Sequence, residues 1–345
     1  MSTPKNAYEV PPSQQILKLL TGKIITQAVS VAATLGIADL LADGPQTAKE
    51  LAGASSTHAH SLYRLLRALA SVGVFTETED GRFTLTPLAQ CLRSDTPDSM
   101  RNMARMFGMP LFWQSWGEML YTVQTGEAGS KKAFGITEIF EYFSQHPEVA
   151  EIFDSAMNDL SRVHGPGIAE AYDFGRFNKI IDAGGGRGVL LISILRRYPG
   201  PRGVVFDLPH VIPGAQEAIA AAGLSNRCEA NAGSLFESVP SGADAYLMRS
   251  ITHGFSNERA QVILRNIRRA IQPEGRLLLV DFVVPAGNEP SLAKLYDLQM
   301  LVMSSFGGRE RTPAEFEELL GAAGFRLGGI LPTPSQQSII EGVPA

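Results

Sequence analysis

Apolar residues recur at near-helical spacing early in the chain. Ile16, Leu19, Leu20, Ile24, Ala28 and Val31 fall on one face of a segment that reads as helical over 12–43. Residues 47–51 and 59–72 read as two shorter helical pieces, with Ser55-Ser56-Thr57 as the predicted cap between them. Two short runs, 74–77 and 82–85, flank Glu79-Asp80-Gly81, which predicts a hairpin with Asp-Gly at its turn. From Asn178 onward the pattern changes. Apolar runs at 179–183, 203–206, 228–231, 243–248 and 276–282 are continuous rather than alternating, and helical patterns separate them. In one of these, 256–271, Ser256 is the predicted N-cap and Ala260, Ile263, Leu264, Ile267 and Ile271 share a face. Continuous strands alternating with helices predict a parallel sheet covered on both faces, the doubly wound, Rossmann-like α/β architecture.

The pattern divides the chain into a helical and winged-helix-like part at 1–100, a helical connector at 101–172 and the α/β domain at 173–345. Helix, helix, hairpin is used both for reading DNA and for packing or dimerisation. Residues 1–100 carry eight basic and nine acidic side chains, a net of −1. A groove-reading module carries a basic face, so the balance favours the packing use. The connector is rich in Met and aromatic residues, most of them expected in helix core. Such side chains also line adaptable pockets for flat ligands. Phe153 and Met157 are the candidates here, with Met300 and Met303 further along.

Composition narrows the classes. A net charge of −5 over 345 residues, with 44% hydrophobic and 19% charged positions, describes a globular chain rather than a disordered one. A pI near 5.8 argues against a nucleic-acid partner. The longest apolar stretch, 28–42, is broken by Ser30, Thr34 and Asp39, so no membrane span is expected, and Met1 to Pro12 shows no signal pattern. Two cysteines, Cys91 and Cys228, are too few for a disulfide framework. His58, His60, His146, His164 and His210 form no ligand-like cluster with paired carboxylates, so no metal is expected. Together these features predict a cytoplasmic, soluble protein.

The first predicted strand of the α/β domain runs into Asp182-Ala183-Gly184-Gly185-Gly186-Arg187-Gly188. Glycines there let backbone approach a ligand at the carboxyl end of the strand. The dinucleotide fingerprint G-x-G-x-x-G/A fails, because its third position falls on Val189 or Leu191. The next strand ends at Phe206-Asp207-Leu208-Pro209, and a carboxylate at that place can accept hydrogen bonds from both ribose hydroxyls of an adenosine ligand.

With Gly233-Ser234-Leu235-Phe236-Glu237-Ser238-Val239-Pro240 and Gly307-Gly308-Arg309-Glu310-Arg311-Thr312, these motifs resemble the caffeic-acid-type O-methyltransferase family. That family includes plant phenol methyltransferases and bacterial enzymes of secondary metabolism. The resemblance covers nearly the whole chain, including the N-terminal module, which in that family forms a dimer. It implies an S-adenosylmethionine site. Asp182, Gly184, Gly185 and Gly186 lie around the amino-acid part, and Asp207 with Leu208 lies at the ribose. Ser234, Leu235 and Phe236 lie beside the adenine, and Arg249 and Ser250 near the methionine end. The family usually has Asp where this chain has Ser234.

The resemblance also implies a general base. His253 falls on the His of the family's His-Asp-Trp pattern, while Gly254 and Phe255 depart from it. Asp281 and Glu310 match the two carboxylates that orient this histidine. Imidazole titrates near pH 6.5 and can accept a proton at neutral pH. The implied activity is methyl transfer to a hydroxyl of an aromatic small molecule by a homodimer. Gly254 and Ser234 keep open a same-fold enzyme that uses the cofactor for C- or N-methylation, hydroxylation or decarboxylation. A metabolite-sensing DNA-binding regulator is the alternative from another class.

Overall fold

Thr21 and Gly36 divide the first apolar stretch into three helices: α1 (Pro12–Leu20), α2 (Gly22–Thr34) and α3 (Ile37–Leu40). Gly36 has a φ of 66°, a left-handed turn that glycine makes without strain. The structure is a computed structural model that describes residues 10–345, so most of the Met1 to Pro12 segment lies outside the described residues. By contact density the chain falls into two compact units, the first ending at Met109 and the second running Pro110–Ala345.

The first unit continues through β1 (Gln46–Thr47), α4 (Ala48–Ala54), α5 (Ala59–Ser71), β2 (Phe75–Glu77), β3 (Arg82–Leu85), α6 (Pro87–Gln90) and α7 (Arg101–Gly108). Its three strands pair antiparallel in the order β1-β3-β2, which is the wing. Leu51, Leu62, Leu66, Leu69, Phe75 and Phe83 form its core. The predicted Ser-Ser-Thr cap is corrected. Ser55 donates to the Leu51 carbonyl at 2.7 Å and Thr57 N–H to Ala52 at 2.9 Å, so the triplet closes the end of α4. The residue before α5 is His58, which makes no side-chain cap.

In contrast, α1 buries no residue, and Ile16, Leu17, Leu19, Leu20 and Ile24 all lie exposed. The segment Pro12–Thr34 is long and apolar enough by composition to cross a membrane, which the reading of 28–42 as the longest apolar stretch overlooked.

The second unit opens with α8 (Pro110–Gly117), α9 (Met119–Thr125), α10 (Gly129–Phe134), α11 (Ile139–Gln145) and α12 (Pro147–Ala171). It then alternates through β4 (Lys179–Ala183), α13 (Val189–Arg197), β5 (Arg202–Asp207), α14 (Ile212–Ala221), β6 (Cys228–Ala232), β7 (Ala245–Arg249), α15 (Asn257–Ala270) and β8 (Arg276–Asp281). It ends with α16 (Leu292–Met303), α17 (Pro313–Ala322), β9 (Phe325–Pro332) and β10 (Ser338–Pro344). The seven strands lie in the order β6-β5-β4-β7-β8-β10-β9.

The continuous apolar runs are explained by two cores, one on each face. Within β8, Leu277 and Leu279 pack with α15 and α17, while Leu278 and Val280 pack with α13 and α14 on the other side. The sheet is not wholly parallel as expected. β6, β5, β4, β7 and β8 are parallel, but β10 pairs antiparallel with both β8 and β9. Chain order reverses between β4 and β7, and that crevice at the strand carboxyl ends is where ligands of open α/β sheets bind.

Candidate active site

The cofactor candidates, His253 and Asp281 stand at or just after the carboxyl ends of strands β4 to β8. β4 ends in the glycine loop. Gly184 has a φ of 77°, and a Cβ there would come within 2.6 Å of Ile251 Cδ1 and 3.4 Å of Leu235. Gly185 has no room either, with Asp182 Cγ 2.7 Å from the same construction, whereas at Gly186 the space is open. Asp207, ending β5, ties this loop down. Its Oδ2 accepts from Gly186 N–H at 2.8 Å and its Oδ1 from Leu208 N–H at 2.7 Å.

Asp182 is buried beneath the loop, and its Oδ2 has no hydrogen-bond partner among the described residues. Burial, then the nearby Asp207, pushes its carboxyl up to about 7. An open cradle at Gly186, an acidic group at the second strand end and an orphaned carboxyl oxygen fit an adenosyl ligand with a cationic centre. Ser234, Leu235 and Phe236 follow β6. Asn266 donates to the Leu235 carbonyl at 2.8 Å, and the Phe236 ring packs edge-on against Phe255 at 5.3 Å.

Arg249 ends β7 inside a cage of neutral acceptors. It donates to Gln337 Oε1 at 2.9 Å, Ser161 Oγ at 2.6 Å and His164 Nδ1 at 3.2 Å. Burial lowers the guanidinium to about 10, and burial with the Arg249 charge lowers His164 to about 4, so that ring is a neutral acceptor. Ser250 holds a φ of 53°, unusual for a residue with a side chain, and Gln337 donates to its hydroxyl at 3.0 Å.

His253 lies in a short 3₁₀ turn, Thr252–Gly254, after β7. Its Nδ1 is 2.7 Å from Glu310 Oε1, and Glu310 is fully enclosed. That bond assigns the proton to Nδ1 and leaves the Nε2 lone pair free. Burial lowers the histidine, but attraction and hydrogen bonding to Glu310, with Asp281 adding and Arg311 opposing, raise it above its ordinary value overall. The two expected orienting carboxylates therefore differ. Asp281 makes no hydrogen bond to His253 and instead accepts from Thr252 Oγ1 at 2.5 Å. Burial, and Glu310 close by, raise its carboxyl against the opposing pull of His253.

The four pocket candidates fall on two helices. On α12, Phe153 packs on Phe143 at 4.8 Å, and Met157 accepts at its carbonyl from Ser161, the residue that holds Arg249. On α16, Met300 is partly buried, and Met303 is buried with its carbonyl bonded to Ser130 at 3.0 Å. Sequence reasoning missed Ser161, His164, Gln337, Thr252 and Arg311. Thr252, between Ser250 and His253, and Arg311, beside Glu310, stood inside stretches that had already been singled out. Among the described residues, no group of three or more His, Cys, Asp or Glu side chains could hold a metal.

Comparison with known proteins accounts for both units. The family model of the O-methyltransferase domain matches residues 116–326, and that of the O-methyltransferase dimerisation domain matches 17–95, which includes the C-terminal end of α1 and all of α2. A phenazine O-methyltransferase, PhzM of Lysobacter antibioticus, is 44% identical over 344 residues, covering 100% of both chains. An 8-amino-8-demethylriboflavin N,N-dimethyltransferase of Streptomyces davaonensis is 36% identical, covering 90% of this chain and 89% of its own. The solved structure of NcsB1, an O-methyltransferase from neocarzinostatin biosynthesis, in complex with S-adenosylmethionine and 2-hydroxy-5-methyl naphthoic acid, superposes with a TM-score of 0.80. It is 32% identical and covers 98% of this chain and 100% of its own. A winged-helix-like module that matches a dimerisation domain, and a doubly wound domain with a glycine cradle and strand-end acid, have one common explanation: this chain belongs to the S-adenosylmethionine-dependent O-methyltransferase family.

Proposed function

We propose that this O-methyltransferase methylates a hydroxyl of an aromatic small molecule with His253 as its general base. The observation that carries the reading is the 2.7 Å bond from His253 Nδ1 to the enclosed Glu310, which leaves Nε2 free beside the crevice. When bound, S-adenosylmethionine supplies a methyl group on a sulfonium, already activated for displacement. The residues of this chain then have separable tasks. Nε2 of His253 accepts the acceptor's hydroxyl proton, and Glu310 fixes the tautomer and stabilises the imidazolium. Asp281 adds negative potential from behind Thr252. Asp207 and Leu208 hold the ribose, while Ser234, Leu235 and Phe236 border the adenine. Asp182, Gly184, Gly185, Gly186, Arg249 and Ser250 surround the amino-acid end. Phe153, Met157, Met300 and Met303 line the acceptor pocket.

The enzyme works as a soluble, cytoplasmic homodimer, with the bare face of α1 covered by a second copy. The riboflavin N,N-dimethyltransferase among its relatives, together with Gly254 in place of an acid, favours an amine acceptor as the second reading.

The test is His253→Ala. Affinity for S-adenosylhomocysteine should stay near that of the wild type, and turnover should fall by roughly 10²–10⁴, the usual contribution of a positioned base. The loss should shrink for acceptors that ionise readily. Undiminished methylation of a phenol of ordinary acidity would end the base assignment.

A further inference from the structure

The segment that supplies Glu310 also grips the turn that carries His253. Arg311 is completely buried, one of the largest side chains so enclosed. Its guanidinium donates to the Thr252 carbonyl at 2.8 Å, to the Phe255 carbonyl at 2.9 Å and to Asn257 Oδ1 at 3.1 Å. Thr252 and Phe255 bracket His253 on either side. Neighbouring groups close on the same turn. Ser304 Oγ donates to the Gly254 carbonyl at 2.9 Å, and Ser256 N–H donates to the Phe306 carbonyl at 2.8 Å. At Gly308 a Cβ would sit 2.5 Å from the His253 carbonyl, so only a glycine lets the two backbones approach this closely.

A buried cation is costly unless it is paired, and Arg311 forms no salt bridge to a carboxylate among the described residues. What it holds is loop carbonyl oxygen. A planar fork can bridge two carbonyls at fixed spacing, which a flexible ammonium cannot do. The 3₁₀ stretch is only three residues long and Gly254 leaves its outer side open, so the turn takes its shape from bonds made to it by the 304–311 segment, and Arg311 alone spans it from Thr252 to Phe255.

From this geometry we infer that Arg311 is a positioning residue for methyl transfer: it locks the Thr252–Phe255 turn so that His253 keeps Nδ1 on Glu310 and Nε2 on the acceptor. The inference rests on the reading of His253 as the base. Arg311 touches neither acceptor nor cofactor and works through the histidine alone.

The experiment is a double-variant cycle in the full-length enzyme, using Arg311→Lys, His253→Ala and the two combined. S-adenosylhomocysteine affinity by calorimetry serves as the check on folding. Arg311→Lys should bind the product normally, leave KM for the acceptor within a few-fold and lower kcat on the order of 10²-fold, since an ångström of misplacement has that effect. In the His253→Ala background the same change should cost nothing further. Should Arg311→Lys fail to fold, Asn257→Ala removes one anchor of the guanidinium and enters the same cycle, with a smaller loss that again vanishes without His253. An equal loss in both backgrounds, or a loss confined to KM, overturns the positioning role. Full activity of His253→Ala alone overturns the base reading instead, so the two failures are distinguishable.

Discussion

Replacing Glu310 by Gln isolates the charge behind the base while keeping its shape. The wild-type side chain is fully enclosed and meets His253 Nδ1 at 2.7 Å. A hydrogen bond to a charged group contributes about 1.5–3 kcal/mol. At about 1.4 kcal/mol per decade, its loss in the transition state lowers kcat roughly 10- to 150-fold. A second effect deepens the loss. The Gln amide can donate to Nδ1 and so move the imidazole proton to Nε2, where it blocks acceptance of the acceptor proton. That tautomer error takes the total toward about 10⁴-fold. The pH dependence should move as well. Glu310 is the largest influence raising His253, so the acid limb of kcat against pH, which starts above the ordinary histidine value of 6.5, should shift downward in the variant. The assay is steady-state methylation of a phenol between pH 5 and 9, with S-adenosylhomocysteine affinity measured in parallel. A kcat within threefold of wild type on an unmoved acid limb would refute the orienting role.

Asp207→Ala loses the bonds to Gly186 and Leu208 as well as the proposed ribose contacts. Calorimetry should show S-adenosylhomocysteine binding weakened roughly 10- to 150-fold, and unchanged affinity would remove the ribose assignment. Light scattering should give twice the 37.2 kDa chain mass, with Leu19→Asp plus Leu20→Asp on bare α1 shifting it toward one chain; a wild-type monomer at micromolar concentration sinks the dimer. Asp182 is raised to about 7 by burial, so its neutral form is the one the fold prefers. That contribution to stability is whole below about pH 4 and fades as pH rises through 7. Thermal stability should therefore fall between about pH 4 and 7 in the wild type and decline less in Asp182→Asn; parallel declines in the two proteins would contradict this.

What the sequence discloses here depends on how local the signal is. The parallel strands were visible because burial on both faces leaves uninterrupted apolar runs such as Leu277–Val280. The glycine loop and Asp207 were visible because each sits at a strand end and needs no distant partner to be recognised. β9 and β10 were missed because Gly328, Gly329, Pro332 and Gly342 break up their apolar pattern. The division at Thr21 was missed because threonine is no obvious breaker, and that at Gly36 because a single glycine inside an apolar run reads as tolerated. The polar cage around Arg249 is assembled from Ser161, His164 and Gln337, each more than eighty positions away in the chain. Nothing in the local pattern of any of them points to the others. Arg311 differs: its motif was in view, but an arginine beside a glutamate reads as one more surface charge until the carbonyls it holds are seen.

The place of β10 has a consequence for synthesis. It is the last of the seven strands to leave the ribosome, yet it sits inside the sheet between β8 and β9, both made earlier. A nascent chain lacking it has an unpaired edge on β8, and it lacks Gln337, just before β10, to steady Arg249. The N-terminal unit, complete by Met109, has no such dependence. In the proposed homodimer, two growing chains on one message would therefore associate through their N-terminal units while their catalytic units are still unfinished. In that order of events, assembly precedes activity, and the aggregation-prone edge exists only until the final strand emerges.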